Sequence, residues 1–459
     1  MGKSFWLFII SVLLLKNSYA QNNQNTEIAG RLDSLIAQRY ANVSPGCVIL
    51  VVKKRDTVYR KAFGIANIEL NVPMKPEMVF RIGSVTKQYT AIAILQLIEQ
   101  GKLSLQDSIQ KFIKEFPNKS GKITIENMLT HTSGIPDYEA LNFPIPNAIR
   151  IDFRAKQIID SLVKLPLDFA PGSKYHYSNS NYFLLACIIE QVSGKSYKDY
   201  LIENIFRPAG LSDTYYDSPT EIIPNRINGY SKTGSKYHNA DYISMSQVFG
   251  AGALLSNVDD MYKWHQALYH YILIKKGTLE KAFTPFRLSD GTVSEYGYGW
   301  FMKKRNETQS IEHSGGIDGF QSDEIYFPQQ DIFIAALYNS LNEGGTDVSF
   351  MALDNDIATL CMGQSLDKEL HIDTSLLKQY AGVYESDPQH PAEITLENGQ
   401  LQMEAKGGGL PKSPLFAKTD KLFYLKVIKA EIEFVKEGNK VIELIVHFNG
   451  QNQIAKKVK

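Results

Sequence analysis

The chain has 459 residues, 44% of them hydrophobic and 21% charged, with 49 basic against 49 acidic side chains. That is ordinary globular composition, and the length suits two domains, or one large domain and a small companion. Zero formal charge and the lack of an Arg/Lys-rich run exclude a nucleic-acid partner. The three cysteines, Cys47, Cys187 and Cys361, lack the paired spacing of a zinc site or redox motif.

Lys3 precedes the apolar run Phe5 to Leu15, and Asn17-Ser18-Tyr19-Ala20 follows. A charged start, a short apolar core and small residues before the break make a secretory signal cut after Ala20. The run is too short to span a bilayer comfortably, and no cysteine follows the cut to carry a lipid. Residues 1–20 are therefore expected to be removed, giving a secreted or periplasmic protein with no stable membrane anchor. Losing Lys3 and Lys16 leaves 47 basic against 49 acidic groups, a net charge of −2. In an exported protein the cysteines read as buried free thiols, or as one disulfide with one thiol left over.

Ile28 to Tyr40 has helical spacing, with Leu32, Leu35, Ile36 and Tyr40 on one face. Gly46 to Lys53 and Thr57 to Ala66 read as strands joined at Lys54-Arg55-Asp56. Gln88 to Gln100 is apolar nearly all round and stops at Gly101, as a buried helix does. Ile123 to Leu129 predicts a short helix before the turn Thr130 to Pro136. Further helices are expected at Ala155 to Lys164, at 181–194, and from the Ser256-Asn257 cap to Tyr269. Tyr296 to Phe301, Gln309 to His313, Gln321 to Phe327 and Ile332 to Tyr338 read as strands, the last two forming a hairpin. Strands at both ends with helices between predict one antiparallel sheet flanked by helices, with a helical region inserted. After about 364–374 come short alternating runs at 380–384, 392–396, 400–405, 421–427, 431–435 and 441–448. Asn398-Gly399, Gly438-Asn439 and Asn449-Gly450 mark tight turns between them. This meander predicts a small barrel or half-barrel at 370–459, beside a main domain at 21–363.

Three short motifs carry chemistry. Ser84 and Lys87 stand three apart at the start of the buried helix, so they share a face. A partly dry lysine there can supply the base a serine nucleophile needs. Alone, the pair also fits a serine that only caps a helix. Tyr177-Ser178-Asn179 precedes another apolar helix. A tyrosine near cations can relay protons, and an asparagine offers a donor and an acceptor to an amide. His313-Ser314-Gly315-Gly316 ends a predicted strand, where small residues leave an edge open to a substrate backbone and an N–H free for an oxyanion. No zinc-protease, phosphate-loop or Gly-x-Ser-x-Gly pattern is present. Gly250-Ala251-Gly252 lacks the third glycine of a dinucleotide site, and the nine histidines lack metal-ligand spacing. No cofactor and no metal are expected.

In this order the motifs resemble the serine β-lactamase and DD-peptidase (penicillin-binding-protein-like) superfamily, in its class C-like branch. The likeness also takes in Leu129-Thr130-His131-Thr132-Ser133-Gly134-Ile135, Pro171-Gly172-Ser173, Gly252 to Ser256 and Tyr296 to Trp300, and runs over roughly residues 30–360. The resemblance implies the mixed α/β (α+β) fold of that superfamily, with a lipocalin-like C-terminal domain. It implies Ser84 as the acylated nucleophile, Lys87 and Tyr177 as the proton-transfer pair, and Asn179, His313 and Gly315 as substrate-binding. The N–H groups of Ser84 and Gly316 would form the oxyanion hole. His313 stands where penicillin-active members carry a lysine, so a substrate carboxylate would meet a group expected to titrate near pH 6.5.

Two functions follow. One is an exported serine hydrolase acting through an acyl-enzyme on a small-molecule or peptide substrate, cell-wall fragments among the candidates. Muropeptides, D-amino-acid amides, small esters and β-lactams all fit the apparatus. The other is a penicillin-binding or ligand-sensing protein that keeps the fold and turns over poorly, with the C-terminal meander holding the ligand.

Overall fold

The computed structural model describes residues 24–458 except 38, 41–43, 117–120, 139–147, 234–235, 306–307, 343–347, 367–369, 387–390, 407–409, 429, 439 and 449–450. The expected signal, residues 1–20, lies outside the described residues, as do Asn439 and the Asn449-Gly450 turn. Two compact units divide the chain. One holds Asp33–Lys304 and Thr308–Gly345, and the other holds Thr346–Lys459 with Arg305–Glu307 and the N-terminal residues up to Leu32. Among the described residues no helix is long and apolar enough to cross a membrane.

The larger unit is built on a six-stranded sheet. Its strands are β1 (Cys47–Lys53), β2 (Asp56–Phe63), β3 (Phe301–Arg305), β4 (Thr308–Ile317), β5 (Phe320–Phe327) and β6 (Ile332–Tyr338). The order is β3-β4-β5-β6-β1-β2, so strands from both ends of the unit meet where β6 pairs with β1. Every pairing from β4 through to β2 is antiparallel. β1 and β6 read Cys-Val-Ile-Leu-Val-Val-Lys and Ile-Phe-Ile-Ala-Ala-Leu-Tyr and are buried almost throughout. Continuous apolar, β-branched runs of this kind are what a strand covered on both faces requires. The β5–β6 hairpin closes at Phe327↔Ile332, as the sequence predicts.

Helices cover and interrupt this sheet. They include α1 (Thr86–Glu99), α2 (Ile125–Leu129), α3 (Ala155–Leu162), α4 (Asn179–Ser193), α5 (Met245–Gly252) and α6 (Val258–Tyr269). α1 is buried on every side from Thr86 to Leu97 and ends before Gly101, whose φ of +69° suits the left-handed stop. α6 starts where expected, the Asn257 side chain accepting the Asp260 N–H at 2.8 Å. The strand predicted at Tyr296 to Phe301 is a correction. The Gly297 N–H bonds the Trp300 carbonyl and Gly299 has φ +91°, so the segment turns on itself and the strand begins at Phe301. Tyr-Gly alternation mimics period two, but glycine supplies turn conformations instead.

The smaller unit contains a closed eight-stranded barrel. Its strands are β7 (Gly382–Glu385), β8 (Ala392–Glu397), β9 (Gln400–Ala405), β10 (Leu410–Ala417), β11 (Leu422–Leu425), β12 (Ala430–Glu437), β13 (Lys440–Phe448) and β14 (Gln451–Lys457). β7 meets β14 at Tyr384↔Lys457 and closes the ring. Side chains including Ile394, Leu401, Leu415, Phe423, Ile432, Phe434 and Leu444 form its core. The three cysteines are separate free thiols, Cys47 and Cys361 buried and Cys187 partly so.

Candidate active site

Ser84 lies in a single tight turn, Gly83–Val85, that leads into α1. Neither this turn nor α1 takes a side-chain cap, so Ser84 is not spent as a helix cap. The turn packs directly on the end of β4, and two glycines make that approach feasible. Gly83 has φ +47°, and a Cβ there would sit 2.9 Å from the Gly316 carbonyl oxygen. A Cβ on Gly315 would come within 2.1 Å of the Ile82 oxygen and 2.9 Å of the Ser84 nitrogen. The backbones of residues 83–84 and 315–316 therefore run in contact, which only residues without side chains permit. β3 has five residues and β4 has ten, so the Gly315–Gly316 end of β4 extends past its outer neighbour.

Four of the residues singled out in the sequence meet in one cluster, three of them joined by hydrogen bonds. Lys87 is fully buried, and its Nζ donates to Ser84 Oγ at 3.0 Å, Asn179 Oδ1 at 2.8 Å and the Ala251 carbonyl at 2.9 Å. The Tyr177 phenol stands beside Ser84, whose hydroxyl favours the charged form of the phenol. Lys87 Nζ lies 4.7 Å from the Tyr177 ring centroid, a cation over an aromatic face. Burial holds the Tyr177 phenol well above its ordinary pKa, with the neighbouring Ser84 hydroxyl pulling the other way. Each contact has a local cause. Ser84 and Lys87 share a face at the head of α1, and Asn179 is the first residue of α4. The Asn179 N–H is in turn held by Asp137 Oδ2 at 2.7 Å. The Ala251 carbonyl comes from α5, whose Phe249 has non-helical dihedrals (φ 37°, ψ −125°).

His313 departs from its expected role. It is 1% exposed, and burial together with the Lys87 charge pushes its imidazole down to about 3. Its Nδ1 donates to the Ser314 carbonyl at 2.7 Å, and its Nε2 lies 2.9 Å from the Tyr296 hydroxyl. The neutral ring is committed to the protein on both nitrogens. Strand alternation explains the difference, because β4 turns residues 313 and 315 inward and exposes 314 and 316. The exposed side chain at this edge is Ser314. His313→Lys should therefore bury a second ammonium beside Lys87 and lower stability by on the order of 3 kcal/mol or more in denaturant unfolding. A stably folded variant that acylates penicillins faster would return position 313 to substrate recognition.

Residues the sequence reading left without a role also stand here. His131 is fully buried with its ring 4.2 Å from that of Tyr177, and Tyr182 and Tyr296 lie within 5.1 Å and 4.8 Å of it. Its only signal in the sequence is membership of the Leu129–Ile135 segment. Asp137 and the Ala251 carbonyl have none, since a backbone acceptor is invisible in residue types.

A family model described as beta-lactamase matches residues 32–353, and a domain of unknown function, DUF3471, matches 366–457. A penicillin-binding protein of Bacillus subtilis (strain 168) is 30% identical over 437 residues, covering 90% of this chain and 94% of that protein. A D-aminopeptidase of Brucella ovis is 27% identical over 308 residues, covering 66% of this chain and 58% of that protein. The solved octameric penicillin-binding protein homologue from Pyrococcus abyssi superposes with a TM-score of 0.67 at 26% identity, covering 93% of this chain and 99% of its own. With an antiparallel sheet and helices over residues 32–353 and a barrel after them, the chain belongs to the beta-lactamase family, in the superfamily of penicillin-binding-protein-like serine hydrolases.

Proposed function

We propose that the protein is an exported serine hydrolase that cleaves amides or esters through an acyl-enzyme on Ser84. The observation that carries this reading is the shared cluster in which Lys87 Nζ bonds both Ser84 Oγ and Asn179 Oδ1 and lies over the Tyr177 ring. Ser84 Oγ attacks the substrate carbonyl carbon, and its proton passes to the Tyr177 oxygen. Tyr177 gives its own proton to the departing nitrogen or oxygen, the C–N or C–O bond breaks, and an amine or alcohol leaves. Water then attacks the Ser84 ester by the reverse relay, releasing the acid and restoring the hydroxyl. Tyr177 works here as a phenol that accepts and donates together, so its raised pKa is no obstacle. The Lys87 ammonium supports negative charge on Ser84 and Tyr177 without leaving its three acceptors. The N–H groups of Ser84 and Gly316 receive the oxyanion, and Asn179 and Gly315 border the acyl chain.

The substrate class rests on two supports. The Brucella ovis relative is a D-aminopeptidase. His313 is neutral and buried, so it offers no cation to the carboxylate of a penicillin. Neutral D-amino-acid amides and small esters should therefore turn over faster than penicillins at pH 7.5. Export rests on the sequence of residues 1–20. The alternative, a sensor with its ligand in the barrel, is disfavoured by the packed apolar side chains that form the barrel core.

The test is a fluorophosphonate probe on residues 21–459, read by intact mass and peptide mapping, followed by a panel of amides, esters and β-lactams. One adduct on Ser84 and turnover of at least one amide or ester are expected. Labelling without turnover of any panel member would favour the sensing role, and no labelling would remove Ser84 from the chemistry.

A further inference from the structure

His131 is bonded on both sides of Tyr177. Its backbone carbonyl accepts the His176 N–H at 3.0 Å, and its ring Nδ1 accepts the Ser178 N–H at 3.1 Å. The residue between those two donors is Tyr177, and the imidazole lies against the Tyr177 ring with 4.2 Å between centroids and 31° between planes. Asn179, two residues after Tyr177, starts α4. One residue therefore fixes the backbone before and after the tyrosine and supports the face of its ring.

The local structure is built to present that ring. His131 follows the short helix α2 in the left-handed region, φ +56°, which residues other than glycine and asparagine seldom occupy. Its own N–H bonds the Met128 carbonyl at 3.3 Å, which keeps the turn closed. Asn181 Nδ2 lies 3.3 Å from the same Nδ1, and the Asn181 amide oxygen accepts from Ser133 Oγ at 2.5 Å. Nδ1 is thus used by two donors, whereas Nε2 is buried and has no hydrogen-bond partner among the described residues. An acceptor on Nδ1 requires the neutral ring with its proton on Nε2. Burial and the Lys87 ammonium push the His131 imidazole well below its usual pKa, so the ring stays neutral.

We propose that His131 is a positioning residue for the reaction, setting the Tyr177 hydroxyl and Asn179 against Ser84 and Lys87 through its Nδ1 bond to Ser178 and its stacked ring. This rests on the reading of Tyr177 as the proton relay. The bond to Ser178 is specific to one ring nitrogen, so substitutions can separate it from packing. Asparagine tolerates the left-handed backbone and places its oxygen near the Nδ1 position. Glutamine reaches toward the Nε2 position instead, and phenylalanine keeps the ring without an acceptor.

The experiment compares His131→Asn, His131→Gln, His131→Phe and Tyr177→Phe by melting temperature, by kcat and KM on an ester substrate, and by the rate of fluorophosphonate labelling. His131→Phe and His131→Gln should lower kcat and labelling about 100-fold with KM within about threefold. His131→Asn should recover to within about tenfold of the parent in both. Equal losses in the Asn and Gln variants would overturn the proposal, as would a folded His131→Phe variant with kcat within threefold of the parent. If His131→Phe does not fold, the Asn and Gln pair decides alone. Full activity in Tyr177→Phe would overturn the relay and this proposal with it, whereas loss in Tyr177→Phe with equal Asn and Gln variants overturns only the role of His131.

Discussion

Ser84→Ala should abolish hydrolysis while leaving the protein folded. Removing a nucleophile from such a unit typically costs on the order of 10^5-fold or more in kcat, and the residue of activity reflects the oxyanion site and binding alone. The stability change should be small because Ser84 is half-buried and makes no capping bond. Lys87 loses one of three acceptors and keeps Asn179 Oδ1 and the Ala251 carbonyl, so the buried ammonium is not stranded. The melting temperature should move by no more than about 3 °C, as expected for roughly 1 kcal/mol in a domain of this size. Comparable turnover in a folded Ser84→Ala protein would remove Ser84 from the mechanism. A large drop in melting temperature would instead show that the hydroxyl supports the turn, and the kinetic loss would then have to be corrected for unfolded protein.

The sheet was legible because its strands carry strong patterns. β1 is apolar up to its terminal Lys53, β6 is apolar throughout and β5–β6 is a two-run hairpin, so both their existence and their pairing follow from residue types. The barrel was legible only in part. β10 reads Leu-Pro-Lys-Ser-Pro-Leu-Phe-Ala, and its two prolines argue against a strand in sequence, although it pairs with both β9 and β11. β14 is polar and mostly exposed, so its alternation carries little signal. In the site, the meeting of Ser84, Lys87 and Asn179 could be anticipated because each sits at or beside a helix start, where direction is set by the helix, whereas Tyr177 lies just ahead of the α4 cap. His313 misled for a different reason. A residue type at a motif position does not say which face of the strand it occupies, and here the register His313↔Glu324 turns it inward. The Ala251 carbonyl enters through backbone geometry and the His131 ring through contacts far along the chain, and a single-residue pattern encodes neither.

Lys87→Ala and Tyr177→Phe should each lower the acylation rate by about 10^3-fold to 10^4-fold, and the double variant should lose little more than the worse single one. Both groups stand at Ser84: Lys87 Nζ bonds its Oγ at 3.0 Å and lies 4.7 Å from the Tyr177 ring centroid. If Lys87 is absent, no cation stabilises charge along the relay. If the Tyr177 hydroxyl is absent, the Lys87 charge has no relay to support. Either loss disables the same proton transfer, and it cannot be disabled twice. Independent roles would multiply to a loss on the order of 10^6-fold to 10^8-fold, about 4 kcal/mol or more beyond the shared case. The two variants differ in stability, which helps to separate the effects. Tyr177→Phe keeps the ring that packs on His131 and under Lys87, so it should fold like the parent. Lys87→Ala leaves Asn179 Oδ1 and the Ala251 carbonyl without the cation and should cost about 1–3 kcal/mol in denaturant unfolding. Acylation should therefore be measured by single-turnover labelling well below the midpoint of the least stable variant. A double-mutant loss equal to the product of the singles would mean that Lys87 does not act through the Tyr177 relay.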